Sequence, residues 1–305
     1  MNNLAARKKR IIVFAVVFLT LLLFLEIFLR YYWGFCDMVL AQESDKYEYS
    51  AQPNQNRFRI RKHVRYNQFS MRSEELKESD SIRILGFGDS VINGELLVDQ
   101  DSLATSIIEK ELTKEAGFPV RCLNVSYGSW GPDNCFAYLK EHGDFNADLI
   151  FLLISSHDAF DNMNFQKIVD ESPRYPSKQY PFAIYELFDR YIIPHLIKTG
   201  NDIDPVNRST EFNSGFSSFQ NYVQEKEIPF FIYLHPEKIE LQNKKYNAMG
   251  DTIIRFCENN NIPLIQGLNH ELPTGYHDNI HLNEKGQNKL ADILLPEIKK
   301  YVFNK

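Results

Sequence analysis

Five short apolar runs recur along the chain and constrain its fold more than any other feature. They cover residues 82–88, 121–125, 149–155, 229–234 and 263–265. Short apolar runs bounded by polar segments are typical of buried strands. Stretches with helical spacing separate them, and this alternation indicates parallel strands with helices on both faces of a sheet. We therefore expect an α/β fold, a three-layer α/β/α sandwich with a mostly parallel sheet of about five strands.

The spacing of apolar residues predicts helices between these strands. The predicted ranges are 102–116, 133–142, 211–226, 239–260 and 283–301, and Pro296 would bend or shorten the last of them. Residues 161–210 interrupt the alternation, because they hold five prolines, many aromatic residues and one helical pattern near 182–196. We expect this segment to be an insertion over one end of the sheet.

The N-terminus carries an apolar run over residues 11–29, in which Glu26 is the only charge. A helix of that length can cross a hydrocarbon core of about 30 Å. A basic cluster at 7–10 precedes the run and an aromatic cluster at 31–33 follows it, which favours an uncleaved span with its N-terminus in the cytoplasm. A cleaved signal peptide is the alternative, but its apolar region usually has about 7–15 residues and a small-residue cleavage site follows it.

These patterns divide the chain into three parts. Residues 1–36 would form a cytoplasmic tip and a transmembrane anchor, and residues 37–80 a stalk or an N-terminal wrap. Residues 81–305 would form the main domain, with the insertion at about 161–210. Residues 37–305 would then lie outside the cytoplasm, in the periplasm or at the cell surface.

Composition excludes two classes of protein. A net charge of −6 and a pI near 5.8 argue against a nucleic-acid partner, which a basic patch would attract. Four cysteines at irregular spacing fit neither a disulfide framework nor a zinc site. Cys122 and Cys135 could form a disulfide in an oxidising compartment, but free cysteines in the core are the favoured interpretation.

The first apolar run ends abruptly at Gly88, Asp89 and Ser90. Ligands of open α/β sheets bind outside the carboxyl ends of the strands, where Ser90 would lie. A serine becomes a nucleophile only beside a base, and the base needs an orienting partner. Asp278 and His281, three residues apart just before the last predicted helix, offer both. Alternatively, the first motif is ordinary turn chemistry and the last two residues are surface side chains.

These motifs together resemble those of the SGNH (GDSL-type) hydrolase superfamily, in its membrane-anchored branch. The resemblance covers about residues 55–305, and its blocks stand in the expected order. They are the lead-in at 66–76, Gly88-Asp89-Ser90, the segments 122–134 and 148–162, and Asp278-x-x-His281. It implies a flavodoxin-like sheet, with Ser90 as nucleophile, His281 as general base and Asp278 as the carboxylate that orients it. No cofactor and no metal are implied.

The resemblance also implies an oxyanion hole formed by Ser90, Gly128, Ser129 and His157. Ser129 occupies the position expected to be glycine, an exchange that a backbone donor tolerates if its φ stays negative. His157 stands where the family has asparagine. An imidazole N–H can also donate; alternatively the hole is weakened, Asn162 substitutes, or His157 is an ordinary loop residue.

The function expected is a membrane-anchored, extracytoplasmic serine esterase that acts through an acyl-enzyme. Its substrate would be an ester, chiefly an O-acetyl group, on a carbohydrate or lipid. The alternatives are an O-acyltransferase of surface polysaccharide and a catalytically weak glycan-binding component with the same fold. The sequence leaves the oligomeric state open.

Overall fold

The computed structural model of the protein describes residues 2–196 and 206–303. Its first element is a long helix, α1 (Asn2–Trp33). Within it, Ala6–Trp33 is long and apolar enough to cross a membrane, and most of its apolar side chains are exposed, whereas Leu29 near its end is buried. A helix with exposed apolar residues all round its surface is not stabilised by water. It remains a candidate membrane span.

Two antiparallel hairpins follow α1. The first pairs β1 (Ala41–Ser44) with β2 (Glu48–Ala51), and the second pairs β3 (Gln55–Arg59) with β4 (Lys62–Tyr66). The sequence pattern predicted no strands here, because these short segments lack a continuous apolar run. Tyr49, Val64 and Tyr66 are nevertheless buried and belong to the main hydrophobic core, so the hairpins pack against the domain.

The central sheet has five parallel strands, as the sequence predicts. They are β5 (Ile82–Gly88), β6 (Val120–Ser126), β7 (Leu149–Ser155), β8 (Phe230–His235) and β9 (Leu264–Gln266). Their order across the sheet is β6-β5-β7-β8-β9, with every neighbouring pair parallel. Numbered within the sheet this is 2-1-3-4-5, the flavodoxin-like order, in which the site lies where the strand order reverses, beside the first strand.

Helices cover both faces of the sheet and complete three layers. One face packs on α3 (Ala104–Ala116) and the last helix (Glu284–Val302), through residues such as Ile108 and Leu294. The other packs on α4 (Pro132–His142), α7 (Gly215–Lys226) and α9 (Ala248–Asn259). The last helix, Glu284–Val302, is α10. The remaining helices are short: α2 (Ser90–Asn93), α5 (Ala183–Leu187), α6 (Ile193–Leu196) and α8 (Lys238–Asn243). The fold class expected from the sequence is confirmed.

Two helix predictions were wrong in detail. The pattern over 239–260 predicted one helix, but α8 ends where Lys244 adopts a left-handed φ of 53°, and α9 begins afresh. Asn247 caps α9 by accepting the N–H groups of Met249 and Gly250, a common polar start signal. Pro296 does not shorten α10, which continues to Val302.

The cysteines are all free, so the possible Cys122–Cys135 disulfide is wrong. Cys122 lies in the core on one face of the sheet and Cys135 in the core on the other. Cys135 Sγ instead donates to the carbonyl of Gly88, 3.7 Å away. Burial raises the pKa of both thiols, which keeps them protonated.

The predicted helix near 182–196 is confirmed. It runs through α5, a π-helical turn at Phe188–Ile192 and α6. Residues 197–205 of the expected insertion lie outside the described part of the chain.

Candidate active site

The turn after β5 presents Ser90 because three local features fix its backbone. A side chain at Gly88 would collide with the carbonyl oxygen of Leu153, 2.4 Å from an added Cβ, so only glycine fits. Asp89 Oδ1 accepts the N–H of Val91 at 2.8 Å and so caps α2. Gly94 ends that helix with a left-handed φ of 71°. Ser90 is thereby held at the first position of a helix, and its side chain lies at the carboxyl edge of the sheet.

Asp278 and His281 lie in one loop between β9 and α10. Asp278 Oδ1 accepts the backbone N–H groups of Ile280 and His281, at 2.9 and 2.8 Å. Its other oxygen lies 2.7 Å from His281 Nδ1. The three-residue spacing therefore makes a closed turn, in which the carboxylate fixes the plane of the imidazole.

The two motifs, 191 residues apart in sequence, meet in space. His281 Nε2 lies 3.0 Å from Ser90 Oγ, within hydrogen-bond distance. The structure thus brings together the three side chains named as nucleophile, base and orienting carboxylate. In this arrangement Ser90 O–H can donate to Nε2 while Asp278 accepts from Nδ1.

The charge of Asp278 is maintained by its partners. Burial opposes ionisation, but the N–H groups of Ile280 and His281 and the His281 imidazole outweigh it and lower the pKa of this carboxyl. Asp278 is therefore an anion at neutral pH, as an orienting carboxylate must be.

Two buried side chains that the sequence did not single out position these motifs. Gln287 accepts the N–H of Ala104 at 2.9 Å and donates to the carbonyl of Val91 at 2.7 Å, which ties α10 to α3 and α2. His235, at the end of β8, donates through Nε2 to the carbonyl of Ile280 at 2.8 Å and so holds the loop of His281. A polar residue on the buried face of a helical pattern was the available signal for Gln287; His235 had none beyond its place at a strand end.

The predicted oxyanion residues Gly128 and Ser129 follow β6 at the same edge of the sheet. Tyr49 and Tyr175 both donate to the carbonyl of Gly128, at 3.2 and 3.3 Å. Ser129 has a φ of 60°, so the negative φ on which a tolerated exchange of glycine for serine depended is not found. The position lies in the left-handed region, where glycine is favoured, and the serine there carries backbone strain.

His157 follows β7 and lies beside Asp89, the residue before the serine. One ring nitrogen lies 3.7 Å from Asp158 and the other 3.9 Å from Glu237. Burial disfavours its charged form, but the carboxylates of Asp158 and Glu237, with Asp89 beyond, outweigh burial and raise the pKa of His157 to about 10. At neutral pH His157 is an imidazolium, and both of its ring nitrogens are donors.

Asn162, the alternative donor, is committed elsewhere. Its amide N–H₂ donates to the carbonyl of Glu211 at 2.9 Å and to that of Phe160 at 3.4 Å. Both amide N–H groups of Asn162 are therefore engaged. The alternative prediction that Asn162 serves as the oxyanion donor is wrong.

One group of metal-ligating side chains lies close together in the described part of the chain: Asp89, His157 and Asp158, with ligand atoms within 4.8 Å of one another. Each already has an internal role. Asp89 caps α2 and Asp158 accepts the N–H of Ser155 at 2.6 Å. Burial raises the pKa of the Asp158 carboxyl, against the opposing effect of His157. Both carboxyl groups thus already serve the backbone of the fold.

A cavity of 260 Å³ adjoins the site. Asn93, Glu95 and Gly128 are among its lining residues, and the rest of the lining is largely apolar, including Val64, Tyr66, Leu96, Leu97, Tyr127 and Tyr175. Burial raises the pKa of Glu95, against the opposing electrostatic effect of the nearby His281 and Arg174 side chains. Glu95 thus belongs to the electrostatic surroundings of His281, and nothing in its sequence context indicated this.

No protein-family model and no curated protein matches the chain. Among solved structures, a lipase/acylhydrolase from Enterococcus faecalis is 12% identical with a TM-score of 0.42, over 72% of this chain and 95% of that one. An esterase from Pseudoalteromonas sp. is 13% identical with a TM-score of 0.43, over 73% and 99%. An acetylxylan esterase from Geobacillus stearothermophilus is 16% identical with a TM-score of 0.39, over 73% and 96%.

These neighbours are named as a lipase/acylhydrolase, an esterase and an acetylxylan esterase. At such identities and TM-scores the likeness carries no argument about this chain's activity or substrate. Its chemistry must be derived from the geometry of its own residues.

Proposed function

We propose that the protein is a serine esterase of the SGNH type, with Ser90, His281 and Asp278 as its catalytic triad. The observation that carries this proposal is the pair of short contacts on one imidazole, 3.0 Å to Ser90 Oγ and 2.7 Å to Asp278. A serine, a base and an orienting carboxylate in this geometry are the requirements for nucleophilic acyl transfer.

The reaction would proceed in two steps. His281 Nε2 takes the Ser90 proton as Oγ attacks the ester carbonyl, and the resulting imidazolium then gives that proton to the departing alcohol. Water then attacks the acyl-enzyme as His281 takes one of its protons, and the imidazolium returns that proton to Ser90 Oγ as the acid leaves. Asp278 stabilises the imidazolium in both steps, since its lowered pKa keeps it charged.

The oxyanion would be stabilised by the Ser90 N–H, a backbone N–H at Gly128 or Ser129, and His157. A preorganised donor of this kind is worth about 2.7–4 kcal/mol at the transition state. The charge on His157 supports this role, because an imidazolium offers a stronger hydrogen bond to an oxyanion than a neutral amide does.

The proposed setting is a membrane. We take α1 as a single span with a cytoplasmic N-terminus, which agrees with its length, its exposed apolar surface and the basic residues at 7–10. The substrate would be an acyl ester, chiefly O-acetyl, on a carbohydrate or lipid outside the cytoplasm.

The experiment that tests the activity uses the full chain in detergent micelles with p-nitrophenyl acetate. Ser90→Ala and His281→Ala should abolish turnover. Asp278→Asn should reduce kcat by about 10⁴, as loss of the orienting carboxylate does in other triads. Ser217→Ala and His270→Ala, matched changes at exposed positions, should leave turnover intact.

Equal turnover in the wild type and both alanine variants would overturn the proposed mechanism. Acetate release from acetylated oligosaccharides tests the substrate separately. Turnover of the chromogenic ester without release from any acetylated sugar would leave the esterase standing and exclude the carbohydrate substrate.

A further inference from the structure

The helical segment Phe182–Leu196, which includes α5, the π-helical turn and α6, exposes an apolar surface. Phe182 is 63% exposed, Phe188 is 49% exposed and Leu196 is 77% exposed, and Tyr185 and Ile193 are also exposed. Most of these residues follow one another at the three-residue spacing of a single helix face. Isolated apolar side chains on a surface need no explanation, but a contiguous set along one helix does.

Two charged residues of this segment point the other way. Glu186 is fully buried, forms an ion pair with Arg59 and accepts the backbone N–H of Cys36 at 2.6 Å. Arg190 donates to the carbonyl of Pro173 and lines a cavity of the domain. The third, Asp189, is half-buried and accepts the hydroxyl of Tyr180 at 2.5 Å. The polarity of the segment is thus largely inverted, because its charges are paired and its exposed surface is mostly apolar. A helix packed against a domain in water shows the opposite pattern.

The N-terminus of α5 is joined to α1. Glu26 accepts the N–H groups of Ala183 and Ile184, at 2.8 and 2.9 Å, and Arg30 donates to the carbonyl of Pro181 at 2.6 Å. Glu26 lies seven residues before Trp33, about 10 Å along the helix axis. This explains the charge in the apolar run, since Glu26 satisfies the free N–H groups that a helix start would otherwise expose to lipid.

We infer that Phe182–Leu196 is a membrane-interface helix, whose outward face lies in the lipid headgroup and acyl boundary of the same bilayer that α1 crosses. The inference rests on the anchoring proposed above. We infer lipid as the partner of this face because the face adjoins the apolar surface of α1. It begins at the level of Glu26, which lies within the apolar run of that helix. Amphipathic helices in this position bury their apolar face about 5–10 Å into the interface.

This second membrane contact fixes the orientation of the domain. A single helix would let the domain swing freely, whereas two contacts hold one face against the bilayer. The cavity that reaches Asn93, on the short helix of Ser90, is also lined by Met38, five residues after α1, and by Arg190 of the interface helix. The site is therefore placed to receive an ester held at the membrane surface.

The test places a small environment-sensitive fluorophore at single cysteines of the full chain in phosphatidylcholine nanodiscs. Cys36→Ser provides the background, as the other three cysteines are buried. Phe182→Cys and Phe188→Cys report on the interface helix and Leu19→Cys on the anchor. Phe118→Cys is the matched control, an exposed aromatic position before β6 at the opposite edge of the sheet. Quenching by brominated lipid is compared with quenching by iodide in water.

The labels at 182 and 188 should lose most of their emission in brominated bilayers and little to iodide, and the label at 118 should do the reverse. A different result would overturn the inferred interface helix but not the anchor. In that result lipid quenches the label at position 19, while the labels at 182 and 188 respond like the label at 118. Protection of 182 and 188 from both quenchers would indicate a protein partner or a second copy, and would also overturn it. A label at 19 beyond the reach of the lipid quencher would overturn the anchor and this inference together. The same measurements in Ser90→Ala separate all of these results from the esterase activity.

Discussion

Ser129 shows how one residue can depart from a family pattern at a measurable cost. Its φ of 60° lies in the region where a Cβ approaches the following carbonyl oxygen too closely. This conformation costs about 1–2 kcal/mol per residue. Ser129→Gly relieves that crowding but adds freedom to the unfolded chain, so it should stabilise the protein by at most about 1 kcal/mol. Ser129→Val should destabilise it by more, because a β-branched residue is the least tolerant of positive φ. Thermal unfolding of the two variants in detergent checks this, and a valine variant as stable as the wild type would show that the turn is not constrained.

His157 gives a prediction for the pH dependence of stability. Its pKa rises from an ordinary value of 6.5 to about 10 in the folded protein. The stabilisation is therefore complete below pH 6.5 and is lost as the pH rises towards 10.

His157→Gln removes the stabilisation that the charged imidazole provides. The unfolding midpoint of this variant should therefore lie furthest below that of the wild type at pH 6. The difference should correspond to about 2 kcal/mol, the scale of a hydrogen bond to a charged group, and narrow steadily by pH 10. A gap that is constant across this range would mean that His157 is not charged in the native state.

At the residue scale, the sequence singled out the three side chains that the structure brings together, but not the side chains that support them. Ser90, Asp278 and His281 stand at strand and loop ends in recognisable patterns, whereas Glu95 and His235 are brought to the site only by tertiary packing. The sequence also could not show that Asn162 is bound to Glu211, because that contact joins segments 49 residues apart.

At the scale of elements, the site depends on the alignment of α2 with α10. Gln287 alone bridges α10 to both Val91 and Ala104, and all three positions are buried. Gln287→Leu would leave a backbone N–H and a carbonyl without partners, at a cost of about 1–3 kcal/mol each.

We expect Gln287→Leu to lower the unfolding midpoint and to reduce kcat more than KM, because Ser90 lies on α2 and His281 in the loop that leads directly into α10. Asn288→Leu, at the next and exposed position of α10, should change neither quantity. Equal effects of the two substitutions would refute the bridging role. Steady-state kinetics and thermal unfolding of both variants supply the comparison.

The strands show where sequence patterns succeed and fail. The five parallel strands are continuous apolar runs, since helices cover both faces of the sheet, and their positions were predicted within two residues. The hairpins β1–β2 and β3–β4 were not predicted, because their alternate residues are polar and several are buried only through contacts with distant parts of the chain. Tyr49 of β2, for example, donates to the carbonyl of Gly128, 79 residues away.

At the scale of the whole molecule, the buried Arg59–Glu186 ion pair joins a hairpin to the segment that packs on α1. Removal of one partner leaves an uncompensated buried charge, at a cost of about 3–5 kcal/mol. Arg59→Met should therefore destabilise the protein strongly, and Glu186→Leu added to it should restore much of the loss.

Arg57→Met provides the matched control on the same strand, because Arg57 pairs with a partly exposed Asp37 at 3.2 Å. A surface pair of this kind is worth about 0–1 kcal/mol. The comparison uses the unfolding midpoints of Arg57→Met, Arg59→Met, Glu186→Leu and the double variant of Arg59 and Glu186. Strictly additive losses for Arg59 and Glu186 would contradict the coupling of the two charges.

The central claim is that Ser90 is a nucleophile activated by His281, and covalent labelling tests it most directly. The full chain is treated with a fluorophosphonate ester, and the intact mass and the labelled peptide are determined. If His281 activates Ser90, one phosphonyl group per chain should be found, and it should lie on Ser90. Labelling should be lost in His281→Ala and retained in His270→Ala. Labelling at another residue, or equal labelling of Ser90 in the wild type and His281→Ala, would contradict it.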